Sequence, residues 1–168
     1  MLYLTYLIAI IKSVGGSNGN LGVALAIATG LEIPVIVFYS RFCRLFSSGR
    51  WLCIAAASFF LKSVLFLLAR SVAAIYLIET LQIVSFSLYA PTSVYYARES
   101  VDASDMVKGQ AMITAFYALG ASLGNFLGGY LLDRAGVSAL LRFGLVFAFV
   151  AVVILVLTTR IQERNSKA

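Results

Sequence analysis

The chain has no histidine, only two cysteines and two prolines, and charged residues fill just 12% of its 168 positions. Each scarcity excludes something. Without histidine the commonest metal ligand and the usual proton shuttle near neutral pH are missing, so any proton chemistry must use carboxylates. Cys43 and Cys53 stand ten residues apart, one in a basic loop and one in an apolar run. That is neither a metal-site spacing nor a disulfide framework, and two inert thiols are expected. There is no nucleotide-binding loop, catalytic triad or metal cluster, so enzyme chemistry has no residues to carry it and no cofactor is expected. The formal charge of +6 does not point to nucleic acid, because the thirteen Lys and Arg are scattered between apolar runs without a basic stripe.

What is present is apolar length. A mean hydropathy of +0.96, against the quarter or so of charged residues usual in soluble domains, marks an integral membrane protein. At 1.5 Å per residue and a bilayer core of about 30 Å, the chain has room for about five or six crossings. We expect an all-α membrane protein with one transmembrane domain over 1–168, a six-helix bundle whose helices lie at about 2–12 (partial), 21–39, 51–70, 72–97, 109–132 and 139–159. The first segment is apolar, lacks a basic n-region and ends in the breaker run 13–20, so it reads as the tail of a helix and not as a signal peptide. The fourth should kink at Pro91. Two faces are built from small residues, Gly22, Ala26 and Gly30 in the second helix and Gly120, Gly124 and Gly128 in the fifth, and both should pack closely on neighbours. Asp133 to Gly136 reads as a tight turn.

Orientation follows from the basic residues. Arg41, Arg44, Arg50, Arg98, Lys108, Arg160, Arg164 and Lys167 fall on one side, and Lys12, Arg70, Arg134 and Arg142 on the other. The richer side is expected to be cytoplasmic, with the C-terminus inside a cell (inner) membrane.

Against this background Glu32, Lys62 and Glu79 are out of place. An ionisable group near the bilayer centre costs roughly 2.5 to 3.5 kcal/mol on insertion scales, so such groups usually face a bundle interior or a wet cavity. Glu32 falls near mid-membrane, and Pro34 frees a carbonyl in the turn before it. It reads either as a solute- or proton-binding acid or as an acid neutralised by a neighbouring helix. Lys62 lies eight residues before Arg70 and could snorkel outward, or meet Glu79, which helical rise places at the same depth. Gln82, Ser85, Ser87 and Tyr89 continue a polar stripe below Glu79 and are expected to line a cavity. Glu32, Lys62, Glu79 and Gln82 are the candidate solute or proton ligands.

The order of these features resembles the C-terminal half of a major facilitator superfamily transporter, helices seven to twelve, over almost the whole chain. The loop Ser40-Arg41-Phe42-Cys43-Arg44-Leu45-Phe46-Ser47-Ser48-Gly49-Arg50 looks like a degenerate copy of that superfamily's basic loop, without its acidic residue. The run Gly124-Asn125-Phe126-Leu127-Gly128-Gly129-Tyr130-Leu131-Leu132-Asp133-Arg134-Ala135-Gly136 looks like its eleventh-helix ending. The likeness is nearest to the galactoside and oligosaccharide proton symporters: Glu32 sits where their eighth helix carries a sugar-facing acid, and Lys62 where the ninth carries an arginine. On the tenth helix, where those symporters place a lysine, a histidine and an acid, this chain has Glu79, Gln82 and Ser85. The resemblance therefore implies carriage of a small polar solute, or export of a drug-like compound, but not lactose itself, and any proton coupling would rest on Glu32 or Glu79. It also implies a partner, an N-terminal six-helix half supplied in cis or in trans. Two rival readings are a non-transporting membrane scaffold, in which Lys62 and Glu79 are a structural pair, and a membrane enzyme on lipids, which lacks a nucleophile.

Overall fold

A computed structural model describes residues 2–165, and every regular element among them is helical. The order is α1 (Leu2–Thr5), α2 (Leu7–Ser13), α3 (Asn18–Phe42), α4 (Ser48–Leu68), α5 (Val72–Glu79), α6 (Phe86–Ser100) and α7 (Met106–Asn165), with 3-10 turns at Thr80–Ile83 and Ala103–Asp105. Four stretches are long and apolar enough to cross a membrane: Asn18–Arg41, Ser48–Leu68, Val72–Glu99 and Met106–Ile161. The chain is an all-α, multi-pass membrane protein. Lys167, assigned to the basic side, lies outside the described residues.

Several helix ends fall outside the expected ranges, for local reasons. Gly19 and Asn20, taken as breakers, belong to α3, because Asn20 caps it: its side-chain oxygen accepts the Ser17 backbone N–H at 2.8 Å. Its amide also donates to the Tyr76 hydroxyl at 2.8 Å, tying α3 to α5. At the other end of the chain, helix runs past Thr159 to Asn165, since Arg160 to Glu163 are strong helix formers with no breaker among them.

The expected kink of the fourth segment is at a different place. Pro91 lies inside α6, whereas the helix breaks at Thr80 to Ser85. Ser85 has φ −98 and ψ −93, outside the helical region. The break is stabilised by side chains: the Ser87 hydroxyl donates to the Gln82 carbonyl at 2.7 Å, replacing a lost helical donor.

The last element cannot run straight, since 60 residues would span about 90 Å. Its helix is interrupted at Gly136, whose φ of 75 suits glycine. A Cβ built on Gly128 would lie 3.1 Å from Leu140 Cδ1, although twelve residues of straight helix rise about 18 Å. The chain doubles back at Gly136, and α7 is a hairpin of two arms.

Of the five glycines expected in close packing, only Gly128 is crowded. A Cβ there would meet Leu2 Cδ1 at 2.5 Å and Tyr6 Cε2 at 2.9 Å, whereas Gly22, Gly30, Gly120 and Gly124 have nothing within 4 Å. Gly128→Leu should therefore cost about 1 to 3 kcal/mol by overpacking. Gly124→Ala should instead stabilise by roughly 0.5 to 1 kcal/mol through helix propensity. Thermal unfolding of the two purified variants checks this, and equal effects would contradict the packing described.

Two apolar clusters hold the bundle at opposite ends. One joins Leu7, Ile10, Ile11, Ala24, Phe66, Ile75, Ile78 and Leu141, and the other Tyr39, Ala55 and Leu88. Along α3, α4 and the broken α5–α6 segment, the membrane-embedded polar residues fall between these clusters: Glu32 between Ala24 and Tyr39, Lys62 between Phe66 and Ala55, Gln82 between Ile78 and Leu88.

Candidate solute-binding site

Three elements each bring a polar group into the interval between the clusters. The Lys62 ammonium, on α4, donates to Glu79 Oε2 at 2.8 Å and to Gln82 Oε1 at 2.8 Å. The other half of the Gln82 amide, Nε2, donates to Glu32 Oε1 on α3 at 2.7 Å. The result is one continuous chain, Glu79 to Lys62 to Gln82 to Glu32. Its depth is graded: by helical rise Lys62 lies about 9 Å from the end of α4, Glu79 about 10 Å from the start of α5 and Glu32 about 21 Å from the start of α3.

The break between α5 and α6 positions Gln82. In a regular helix Gln82 would follow Glu79 one turn below it, but the 3-10 turn tightens the backbone so that both reach the same ammonium. Lys62 is held from its other side by the Phe66 ring, 5.7 Å from Nζ, and Phe66 is itself stacked on Tyr3 at 5.4 Å. The amine does not snorkel. Burial is steeply uneven: Glu79 is 1% exposed, Lys62 5% and Gln82 6%, while Glu32 is only half-buried.

Charge does not balance within the chain. It holds two carboxylates and one ammonium, and the ammonium is committed to Glu79. Glu32 has a neutral amide as its partner in the network. A half-buried carboxylate without a cation beside it calls for a further hydrogen-bond donor or a positive charge. It lines a cavity of about 170 Å³ together with Lys62, Glu79, Gln82, Tyr3 and Thr29. Among the described residues no group of His, Cys, Asp and Glu is arranged to hold a metal ion.

A family model described as the MFS_1 like family matches residues 2–143, which take in all four residues of the network. The chain belongs to the MFS_1 like family. The maltose permease of Geobacillus stearothermophilus is 28% identical over 166 residues, covering 96% of this chain and 41% of the permease. The chain thus spans about two fifths of that relative's length. No solved structure matches it. Both findings point to membrane carriers and not to enzymes.

In this MFS_1 like chain the four candidate ligands meet in one place, but Ser85 and Ser87, expected to line a cavity, do not. Both are fully buried: the Ser87 hydroxyl donates to the Gln82 backbone carbonyl at the helix break, and the Ser85 hydroxyl makes a long contact of 3.5 Å with the Gln82 side-chain oxygen Oε1. Other cavity residues went unsingled in the sequence: Leu25, Ala28 and Thr29 precede Glu32 by seven, four and three residues, and Phe59 precedes Lys62 by three. Helical periodicity alone places these on the same faces as the charges. Tyr3 had no such signal, because its contribution depends on where the first segment docks.

Proposed function

We propose that this chain is the C-terminal six-helix half of a secondary active transporter that moves a small polar solute across a cell membrane by alternating access, coupled to protons. The observation that carries the reading is the uncompensated Glu32 carboxylate, half-buried beside a cavity and joined through Gln82 to the Lys62–Glu79 pair. One proton or one hydroxyl donor satisfies it, and the two compete for the same oxygen, which is a means of coupling them.

An N-terminal six-helix half, in cis or in trans, completes the carrier. Support comes from α3, where Gly22 and Gly30 have no neighbour and Ile33 and Val37 are 62% and 65% exposed, and from the fraction of the maltose permease that the chain spans. The rest of the exposed apolar surface faces lipid. The end of the bundle bearing Arg41, Arg44, Arg98 and Lys108 is the cytoplasmic one in an inner membrane, with the C-terminus on that side. Solutes rich in hydroxyl groups suit an acid, an amide and an ammonium set side by side, and a sugar is the first candidate.

The test is transport by the complete carrier in proteoliposomes. Adding a substrate sugar, with maltose in the panel, to de-energised vesicles should alkalinise the medium in step with uptake. Uptake with no pH change would remove the proton coupling, and no uptake across a panel of polyols and sugars would overturn the reading.

A further inference from the structure

The turn between α3 and α4 carries a surface patch that solute binding does not use. From Ile33 to Ile78 the chain has no acidic residue, yet this turn holds Arg41, Arg44 and Arg50. Arg41 and Arg44 are exposed, and among the described residues neither is in an ion pair. Arg41 lies over the Phe38 ring, 5.2 Å from its centroid. The connection after α6, at the same end, is different: it sets Glu99, Asp102 and Asp105 against Arg98 and Lys108, and Lys108 is bonded to Asp105 at 2.7 Å.

Beside the free arginines the turn presents apolar surface, with Leu45 65% and Phe46 47% exposed. Phe46 stands edge-on to Trp51, 5.3 Å between ring centroids, and the Trp51 indole N–H is buried without an acceptor. Ser47, at the start of α4, makes no capping bond with its side chain, so the helix offers its positive end to an outside anion. The last arm of α7 meets the same point. A Cβ on Gly49 would lie 3.2 Å from Thr159 Cγ2, and the next residue, Arg160, is exposed.

We propose that the α3–α4 turn binds one anionic phospholipid, its phosphate held by Arg41, Arg44 and the start of α4 while Leu45 and Phe46 enter the acyl region beneath the headgroups. The site is independent of the solute that the carrier moves. Each basic group near a membrane surface strengthens attachment to anionic lipid about fivefold, and a guanidinium fork fits phosphate oxygens bidentately. Exposed leucine and phenylalanine beside those arginines favour a ligand with acyl chains over a free phosphate, which has no use for apolar neighbours.

Native mass spectrometry of the complete carrier, titrated with dioleoyl phosphatidylglycerol or dioleoyl phosphatidylcholine, tests this. The anionic lipid should be retained at least about tenfold more tightly, as a pair of basic groups implies. Arg41→Gln with Arg44→Gln should remove that preference and leave phosphatidylcholine retention unchanged. Lys108→Gln, which removes a charge already paired with Asp105, should leave the preference intact. Both arginines are exposed, so an unchanged unfolding midpoint is expected and separates lost binding from lost folding. Leu45→Ser with Phe46→Ser should weaken both lipids and keep the preference, and undiminished retention there would overturn the acyl contact. Equal retention of the two lipids by the unmodified carrier would overturn the site, as would a preference that survives loss of both arginines. Glycerophosphoglycerol, the same headgroup without acyl chains, should fail to displace the lipid at equal concentration. Displacement would overturn the lipid assignment and give the patch to a free phosphate compound.

Discussion

Replacing Glu32 by Gln is expected to abolish solute accumulation by the complete carrier while leaving its amount in the membrane unchanged. The substitution is nearly isosteric, and a glutamine carbonyl can still accept the Gln82 Nε2 hydrogen that Glu32 Oε1 accepts at 2.7 Å. Geometry is therefore kept and only the ionisable group is lost. Insertion should not suffer, since removing a charge from mid-membrane relieves a cost of roughly 2.5 to 3.5 kcal/mol. What disappears is the oxygen on which proton and solute compete, so energised uptake should collapse to simple equilibration of the solute. Accumulation ratios measured with and without a proton gradient check this. Undiminished accumulation in the variant would remove Glu32 from the coupling path.

The second large effect concerns stability. Lys62→Met should destabilise the protein by about 3 to 5 kcal/mol, because it leaves a carboxylate that is 1% exposed without its cation. Adding Glu79→Leu should restore most of that loss, since a buried ion pair replaced by apolar groups is often neutral or better. Unfolding midpoints of the single and double variants in one detergent measure both. A single variant as stable as the parent would mean that the pair is not buried as described.

Reversing the pair separates a carrier from a scaffold. Lys62→Glu with Glu79→Lys keeps one ion pair, but Gln82 now faces a carboxylate where it faced an ammonium. Its amide must turn over, which presents Oε1 instead of Nε2 to Glu32, acceptor against acceptor. A solute site should lose transport although the pair is restored, whereas a purely structural pair should tolerate the exchange.

These residues also show how far the amino-acid order could be read. Glu32, Lys62 and Glu79 stood out because a charge in an apolar run is visible without any knowledge of its neighbours. The meeting of Lys62 and Glu79 followed from equal depth on consecutive antiparallel helices. The role of Gln82 as the link to Glu32, 50 residues away, did not follow. It depends on a helix break that Pro91 suggested and misplaced, the break lying upstream at Thr80 to Ser85. Glycine spacing was equally ambiguous. Gly120, Gly124 and Gly128 share one periodicity, yet one lies against Leu2 and Tyr6 while the other two border open space.

Amino-acid order was enough to establish a helical membrane protein, where its long apolar runs lie and which polar groups inside them need an explanation. Those properties are local, because the bilayer charges each residue for its own exposure and requires each segment to satisfy its own backbone. Packing between helices settled which acid has the ammonium and which has an amide, which glycine is tight and where the cavities open. Those outcomes depend on how side chains from helices distant in the chain fill the same volume, and hydropathy and spacing along one helix carry no information about the shape of the next.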